Sequence, residues 1–232
     1  MCRRVAGRQR KERTAVATSG SRPSGSQLAW GLDKLITPVL VGVVLAVFGV
    51  LAPPWIAKRL QTATCQDPGD LVLAAPTSAD GRAKPPDSFP TKGEVSYPAG
   101  NVVDGNTSTA WVEGETGLGL GAQLSLALDP DTDVRLVCIV DGYAESWDLY
   151  KRNSRVRLLR VATDQGTRTA LLADAGTPDR PAVYQPLNTA TGPTSRITLT
   201  IVSAYAAQRD AASATAYADT SISEVEVWAT PR

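Results

Sequence analysis

Short stretches of alternating apolar residues fill the chain after Gly93, and turn residues separate them. In one stretch Ile197, Leu199 and Ile201 alternate with threonines, which is the two-residue period of a strand with one buried face. Residues 134–140 are apolar apart from one arginine, and such a run is typical of a central strand covered on both faces. This part of the sequence has no 3.6-residue apolar period. The pattern predicts an all-β domain over residues 93–232, a sandwich or barrel of about eight strands.

Histidine is absent from all 232 residues. The sequence thereby excludes a Ser-His-Asp triad, a Cys-His pair and a histidine-ligated zinc or haem site. A carboxylate pair is the remaining route to catalysis, but Glu113 with Glu115 and Asp131 with Asp133 alternate as residues of loops and exposed strand faces do. We therefore predict that the domain is not an enzyme.

An uncharged apolar run occupies residues 35–57. At about 1.5 Å per residue, a helix of this length crosses a hydrocarbon core of roughly 30 Å, so we predict an uncleaved membrane span. A cleaved secretory signal is the alternative, but the run has no small-x-small cleavage site and follows a long basic segment. Trp30 and Trp55 flank the run, where an aromatic belt is expected.

Residues 1–34 carry eight Lys and Arg against two acidic residues, whereas the remainder carries sixteen bases and twenty-one acids. By the positive-inside rule, this asymmetry keeps the N-terminus in the cytoplasm and places the rest outside, as in a single-pass protein of the cell membrane. The basic segment has almost no apolar periodicity, so we expect it to be disordered and to contact anionic lipid. Nucleic-acid binding is not predicted, because orientation alone explains a basic tail beside a span.

Residues 58–92 are rich in Pro, Ala, Asp and Thr, which predicts a flexible linker between the span and the domain. Cys65 falls in this linker and Cys138 in an apolar strand, and both lie outside the predicted span. A disulfide between them is one interpretation. The other, which the apolar neighbours of Cys138 favour, is a buried free thiol that packs as a small hydrophobe.

Two segments near the ends of the predicted domain resemble a known family. The pattern Asp-Gly-x-x-x-Thr-x-Trp begins at Asp104 and ends at Trp111. It resembles the opening segment of discoidin-like domains, also called F5/8 type C or galactose-binding-like jelly rolls. The sequence Ser223-Glu224-Val225 is similar to the closing strand of that family.

The middle of the domain resembles one branch of this family. Gly117-Leu-Gly-Leu-Gly, Asp141-Gly-Tyr-Ala-Glu-Ser and Tyr150-Lys-Arg-Asn-Ser-Arg-Val-Arg are similar to the module at the front of NAD glycohydrolase toxins, a translocation and glycan-binding module. The resemblance covers roughly residues 95–229 and implies a discoidin-like jelly-roll β-sandwich. It does not extend to the catalytic domain of the toxins, so it implies no cleavage of NAD.

The resemblance also implies a structural cation where the opening loop meets the closing strand. The positions that would supply the oxygen ligands are Asn101, Asp104, Asn106, Thr109, Ser223 and Glu224, the first and fifth through backbone carbonyls. Calcium takes six to eight such hard oxygen ligands. The alternative is that Asp104 caps a turn and Glu224 pairs with an arginine.

A polar loop rich in aromatic residues is the candidate ligand site. It contains Tyr143, Trp147, Tyr150, Asn153 and Arg155, and this mixture of rings with hydrogen-bonding groups suits a sugar. In the alternative interpretation, the two tyrosines plug the end of the sandwich and the arginine binds a strand carbonyl. The sequence therefore predicts a membrane-anchored module that binds a glycan or cell-wall polysaccharide. A protein-interaction or sensing module with an exported protein partner is the second hypothesis.

Overall fold

The computed structural model describes residues 62–91, 93–208 and 216–232, and the predicted basic segment at 1–34 and span at 35–57 lie outside them. Within the described ranges, no helix is long and apolar enough to cross a membrane. Strands dominate these ranges and confirm the all-β prediction. The strands are β1 Val72–Leu73, β2 Ser78–Asp80, β3 Asp87–Phe89, β4 Gly93–Val95, β5 Trp111–Val112, β6 Gln123–Asp141, β7 Ser154–Thr163, β8 Gly166–Leu171, β9 Tyr184–Pro186, β10 Gly192–Tyr205 and β11 Thr220–Ala229. A 3-10 turn, Ala99–Val103, precedes β5, and the helix α1, Trp147–Arg152, precedes β7.

The strands form two layers that share the long strand β6, which changes direction near Asp131. Before Asp131, β6 pairs with β2 and β10. After it, β6 still pairs with β10 over residues 132–134, across a register shift in β10, and then with β9 and β11. All of these pairings are antiparallel. Asp131 has a φ of 61°, a left-handed conformation that Asp adopts more readily than most residues. β7 and β8 extend the first layer beyond β10, while β1 and β5 pair with β11 in the second. The result is the predicted discoidin-like sandwich.

Apolar side chains from both layers meet in one core. Leu124 of β6 and Leu199 of β10 come from the first layer, and Ile139 of β6 and Val225 of β11 from the second, and all four are buried. Trp111, from the opening motif, is fully buried among them, and its indole Nε1 donates to the carbonyl of Arg82 at 3.2 Å. The alternating apolar positions of the sequence therefore face the inside of the sandwich.

The prediction of a flexible linker at residues 58–92 is wrong for the described residues 62–91, because that segment is part of the folded unit. Val72 of β1 pairs with Ala229 of β11, and Ser78 of β2 pairs with Ala127 of β6. Both strands are short edge strands, where proline-rich sequence is tolerated because one side of the backbone needs no partner. A composition typical of linkers therefore conceals two strands.

The same segment explains why residues 134–140 of β6 are apolar on both sides. Val137 and Ile139 face the core between the layers, whereas Leu136, Cys138 and Val140 alternate with them and are buried as well. A disulfide joins Cys138 to Cys65, with the two Cα atoms 5.8 Å apart, so the chain before β1 lies against this outer face. The prediction of a strand covered on both faces is confirmed. The preference for a free thiol at Cys138 is wrong.

Candidate functional site

The helix α1 places most of the predicted ligand-binding residues at one end of the sandwich. Ser146 caps its first turn, where its Oγ accepts a hydrogen bond from the amide of Leu149 at 3.3 Å. At the other end the amide of Asn153 donates to the carbonyl of Leu149 at 3.1 Å. These two contacts set the bounds of a helix of only six residues, from Trp147 to Arg152.

Arg155 lies inside the domain, with 1% of its surface exposed. Its Nε and Nη2 donate to the two carboxylate oxygens of Asp174 at 2.8 and 2.9 Å. Its Nη1 donates to the carbonyls of Tyr150, Lys151 and Asn153, which closes the end of α1. The predicted contact of Arg155 with a ligand does not fit this position. The alternative, in which it binds backbone carbonyls, describes the contacts that the structure has.

Tyr150 is also an interior residue. Its hydroxyl donates to Asp174 Oδ1 at 2.9 Å and accepts from the amide of Gly176 at 3.1 Å. A Cβ at Gly142 would lie 2.8 Å from the Tyr150 ring, so this glycine makes room for the ring as well as adopting a φ of 81°. Trp147 stacks on the same ring with the centroids 5.6 Å apart and is itself only half-buried. Of the predicted aromatic residues, Tyr150 therefore plugs the sandwich, and Trp147 is the one with appreciable exposure.

Opposing charges surround Arg155. Burial by itself would raise the pKa of Asp174, but hydrogen bonds from Arg155 and Tyr150 bring that pKa below its usual value. On the other side, burial raises the pKa of Asp141 well above its usual range, although its Oδ1 accepts a hydrogen bond from the amide of Val156 at 2.7 Å. Asp141 was not among the predicted site residues. Arg155 and Asp174 hold α1 in place, and Asp141 joins the end of β6 to β7.

Tyr143 and Asn153, in contrast, line a cleft of about 180 Å³. Its walls come from the β3–β4 hairpin, from α1 and from the chain that leads into β11. The lining residues are Lys84, Asp87, Phe89, Tyr97, Val112, Tyr143, Leu149, Arg152, Asn153, Tyr217 and Asp219. Two of the five predicted ligand residues thus share a cavity, which we call the polar cleft.

Side chains in the polar cleft are arranged by hydrogen bonds and ring contacts. Tyr97 donates from its hydroxyl to Asp87 Oδ2 at 2.9 Å and packs edge-to-face on Tyr143, with the ring centroids 6.2 Å apart. Lys84 donates to the same carboxylate oxygen, and its Nζ lies 5.3 Å from the centre of the Tyr97 ring. Burial raises the pKa of Tyr143 to about 12, with a further contribution from Glu145. Burial also raises the pKa of Tyr97, so Tyr97 and Tyr143 are neutral hydroxyl groups at physiological pH.

Charges in the polar cleft balance. Lys84 and Arg152 are its cations, and Asp87 and Asp219 its acids. Burial would raise the pKa of Asp87, but the hydrogen bonds from Lys84 and Tyr97 lower it overall. Burial raises the pKa of Asp219, which Lys84 offsets only in part. A neutral ligand with many hydroxyl groups fits such a cavity better than a strongly charged one.

Sequence reasoning missed several cleft residues. Lys84, Asp87 and Phe89 fell in the predicted linker, and Tyr217 and Asp219 belong to no motif. Of these missed residues, only Phe89 could have been singled out from the sequence as a binding residue. It is the single Phe outside the uncharged run at 35–57, and 39% of its surface is exposed. An exposed aromatic residue in a polar segment indicates a contact surface.

The predicted cation ligands come together only in part. Thr109 donates from Oγ1 to Asp104 Oδ2 at 2.8 Å, and Asp104 Oδ1 accepts from the amide of Asn106 at 2.9 Å. Asn101 Nδ2 donates to the carbonyl of Ala110 at 2.9 Å, which ties the loop to the start of β5. Asp104 therefore does cap a turn, as the alternative interpretation states.

Glu224 reaches this loop from β11. It is 3% exposed, and its Oε2 has no hydrogen-bond partner among the described residues. Burial, and then the negative charge of Asp104, raise its pKa to about 7. The side chain of Ser223 points elsewhere, because its Oγ donates to the carbonyl of Gly142 and accepts from the amide of Ala144. The charge of the exposed Asp104 thus acts on the buried Glu224 carboxylate. No group of three or more acidic or Cys residues with metal-ligand spacing occurs in the described part of the chain.

Comparison with solved structures gives three examples of similar folds, each at low identity. Arabinofuranosyltransferase AftD from Mycobacteria is 17% identical, with 67% of this chain and 10% of that chain covered and a TM-score of 0.44. The family 32 carbohydrate-binding module of NanJ from C. perfringens, solved with galactose, is 19% identical, with 67% and 98% covered and a TM-score of 0.41. An F5/8 type C domain from Bacteroides fragilis is 11% identical, with 71% and 100% covered and a TM-score of 0.45. The chain spans about a tenth of the AftD chain.

Family assignment comes from the sequence profile rather than from these structures. No curated protein matches the chain. The profile of the NAD glycohydrolase translocation F5/8 type C domain matches residues 85–228, which is more than half of the chain and includes both motif segments and the β3–β4 hairpin. The resemblance found in the sequence is thereby confirmed, and the chain belongs to the NAD glycohydrolase translocation F5/8 type C domain family.

Proposed function

We propose that this domain is a non-catalytic carbohydrate-binding module, and that the polar cleft is its ligand site. The observation that carries the proposal is the lining of the cleft, where tyrosines and an exposed Phe89 lie beside an amide, two carboxylates and two cations. Sugars need apolar ring faces for their C–H groups and paired donors and acceptors for their hydroxyls. The balanced charge of the cleft supports a neutral sugar of a glycan or cell-wall polysaccharide.

Two features support a binding role without catalysis. Asp87 is held by Lys84 and Tyr97, and its lowered pKa makes it a poor general acid. Arg155 and Tyr150, whose chemistry would serve a reacting group, are engaged in holding α1. The cleft then binds its ligand and releases it unchanged.

The disulfide supports the predicted location outside the cytoplasm. The Cys65–Cys138 bond joins residues 73 positions apart, and such bonds persist in oxidising compartments and are rare in the cytosol. We therefore propose that the domain is displayed outside the cell membrane, anchored by the run at residues 35–57 with the N-terminus in the cytoplasm. Many copies on one membrane would raise the avidity for a repetitive glycan even where single-site affinity is modest.

Replacement of a cleft acid tests the site. Asp219→Asn removes a charged acceptor from the cleft and is expected to weaken glycan binding about tenfold, since a hydrogen bond to a charged group contributes about 1.5–3 kcal/mol. The full chain would be measured on isolated cell-wall sacculi and on immobilised glycans, with free monosaccharide as competitor. Asp179→Asn, the same change at an exposed position outside the cleft, is the control and should leave binding unchanged.

If Asp219→Asn binds the glycans as tightly as the wild type does, the ligand site lies elsewhere on the domain. If an exported protein binds the domain and free sugar does not displace it, the protein-interaction hypothesis would be supported instead. Circular dichroism of each variant shows whether it is folded.

We further propose a structural calcium ion between Asp104 and Glu224. The residues present fit such an ion, because the buried Glu224 Oε2 has no hydrogen-bond partner in the described chain and the Asp104 carboxylate is close enough for its charge to raise the pKa of Glu224. Asp104, Glu224, the side-chain oxygens of Asn106 and Thr109, and the carbonyls near Asn101 and Ser223 would hold it. The ion would supply the positive charge that lets both carboxylates stay ionised, and so join the opening loop to β11.

Removal of calcium is expected to lower stability in a pH-dependent manner. Because the pKa of Glu224 is about 7 in the fold against the usual 4.5, its ionisation opposes folding, and stability without the ion falls as pH rises from 4.5 to 7. In chelator at pH 7.5, Glu224→Gln should therefore be more stable than the wild type by about 2 kcal/mol. In calcium the order should reverse, because the variant loses a ligand.

Urea denaturation at pH 5 and pH 7.5, with calcium and with chelator, measures these differences. Glu226→Gln is the matched control, since Glu226 lies two residues along the same strand, is half-exposed and accepts from Trp228 Nε1. Equal stability of the wild type with calcium and with chelator at pH 7.5 would contradict the cation site.

A further inference from the structure

A second recess lies beside the polar cleft. It measures about 390 Å³, and it shares four lining residues with the polar cleft: Phe89, Tyr97, Tyr143 and Leu149. The edge-to-face pair of Tyr97 and Tyr143 therefore forms a common wall with one cavity on each side. The two cavities are parts of one groove at the end of the sandwich, and we call the second one the apolar recess.

The apolar recess has little hydrogen-bonding capacity left for a ligand. Phe89, Val95 and Leu149 present carbon to it. Among its polar residues, the Thr109 hydroxyl already binds Asp104 and the Asn106 carbonyl, and Glu145 is hydrogen-bonded to Tyr143. The other two, Thr91 and Ser108, are exposed to solvent. A sugar hydroxyl buried against the carbon surface of the recess would have no partner, which costs about 1–3 kcal/mol for each such group. The recess fits an apolar group.

Cavity size indicates that one ligand uses both parts of the groove. Sites for small molecules usually measure about 300–1,000 Å³, and the polar cleft at about 180 Å³ lies below that range. The apolar recess at about 390 Å³ lies within it, directly across the shared tyrosine wall. A ligand that filled only the polar cleft would be a single small polar unit and would leave Val95 and the rest of the apolar recess uncovered.

We infer that the groove recognises an amphipathic glycoside, in which one sugar unit occupies the polar cleft and an apolar group on its glycosidic oxygen occupies the apolar recess. This inference rests on the proposed carbohydrate-binding function and specifies the ligand class of the same site. Asp219 and Lys84 line only the polar cleft and Val95 only the apolar recess, and this contrast determines which way the ligand lies.

Paired glycosides test the inference. The full chain, in a detergent that carries no sugar, would be titrated with methyl and phenyl glycosides of the same hexoses. The phenyl glycoside is expected to bind about tenfold more tightly than the methyl glycoside of the same sugar, because its ring is buried in the apolar recess. Val95→Thr keeps the side-chain shape and should reduce that ratio below about threefold while the Kd of the methyl glycoside stays the same. Thr91→Val, the reverse change in the same recess, should raise the ratio.

Outcomes of the titrations separate this inference from the function on which it rests. Equal Kd values for methyl and phenyl glycosides in the wild type would overturn the amphipathic ligand and leave carbohydrate binding intact. A preference for the phenyl glycoside that neither variant alters would also overturn it, because the apolar group would then bind outside the recess. Absence of binding by every glycoside would overturn both.

Discussion

Replacement of Cys65 by serine is expected to lower the free energy of unfolding by about 4 kcal/mol, the value that the chain-entropy model gives for a loop closed by residues 73 apart. The bond constrains the unfolded chain, and it also holds the segment before β1 against the outer face of β6. Once it is absent, Leu136 and Val140 lose part of their cover. Urea titration of the full chain, followed by far-UV circular dichroism, measures the difference.

Cys2→Ser is the matched control for this variant, since it removes a thiol that takes no part in the bond. It should leave the unfolding midpoint unchanged, and reducing agent should lower the wild type to the level of Cys65→Ser. Limited proteolysis gives a second readout, with new cleavage at residues 62–75 in Cys65→Ser. A loss of less than about 1 kcal/mol would show that β1 and β2 hold this segment without the disulfide.

The second large effect is expected at the Arg155 guanidinium. Asp174→Asn keeps the shape of the side chain but removes the charge opposite a cation that is 1% exposed. Removal of one partner from a buried pair costs about 3–5 kcal/mol, and we expect the low end, about 3 kcal/mol, because the Asp174 side chain is 31% exposed. Loss of this anchor should also loosen α1 and weaken glycan binding, since Leu149, Arg152 and Asn153 line the polar cleft.

Glu115→Gln provides the comparison at the surface. Glu115 pairs with Arg82, and the two side chains are 42% and 70% exposed. The same acid-to-amide change there should cost less than about 1 kcal/mol, because water screens the pair. Equal losses in the two variants would show that burial of Arg155 is not what makes its ion pair important.

Low pH is expected to lower the stability of the wild type, as Asp174→Asn does. Because the pKa of Asp174 is lowered in the fold, its ion pair stabilises the domain at neutral pH, and that contribution disappears as pH falls through the folded pKa. Asp174→Asn should therefore lose less stability on acidification than the wild type does.

Of the five predicted ligand residues, Tyr143 and Asn153 line the polar cleft, and the cleft residues that come from distant segments were not predicted. Tyr143 follows Asp-Gly in the middle segment and does line the polar cleft. Lys84 and Asp219 lie 135 positions apart and belong to no pattern, yet they line the same cavity. Arg155 and Tyr150 were candidate ligand residues with an interior role as the alternative, and hydrogen bonds to Asp174 allow both to be buried.

The alternation of apolar and polar residues along the chain determined which segments of this protein form strands. Residue alternation decides which side of a strand is apolar, and the absence of a helical period leaves a layered β-fold as the way to bury those sides. The opening and closing motifs, Asp104 to Trp111 and Ser223 to Val225, indicated a discoidin-like domain, and the middle segments indicated its NAD glycohydrolase branch.

Only the tertiary structure decided what covers the outer face of β6, which residues line the groove, and that Cys65 meets Cys138. These features depend on contacts between residues far apart in sequence, and no periodicity records such contacts. A proline-rich segment and a flexible linker have the same composition. Here the segment is folded because two partners become available once the sandwich has formed: the edge of the sheet at β11 and the buried sulfur of Cys138.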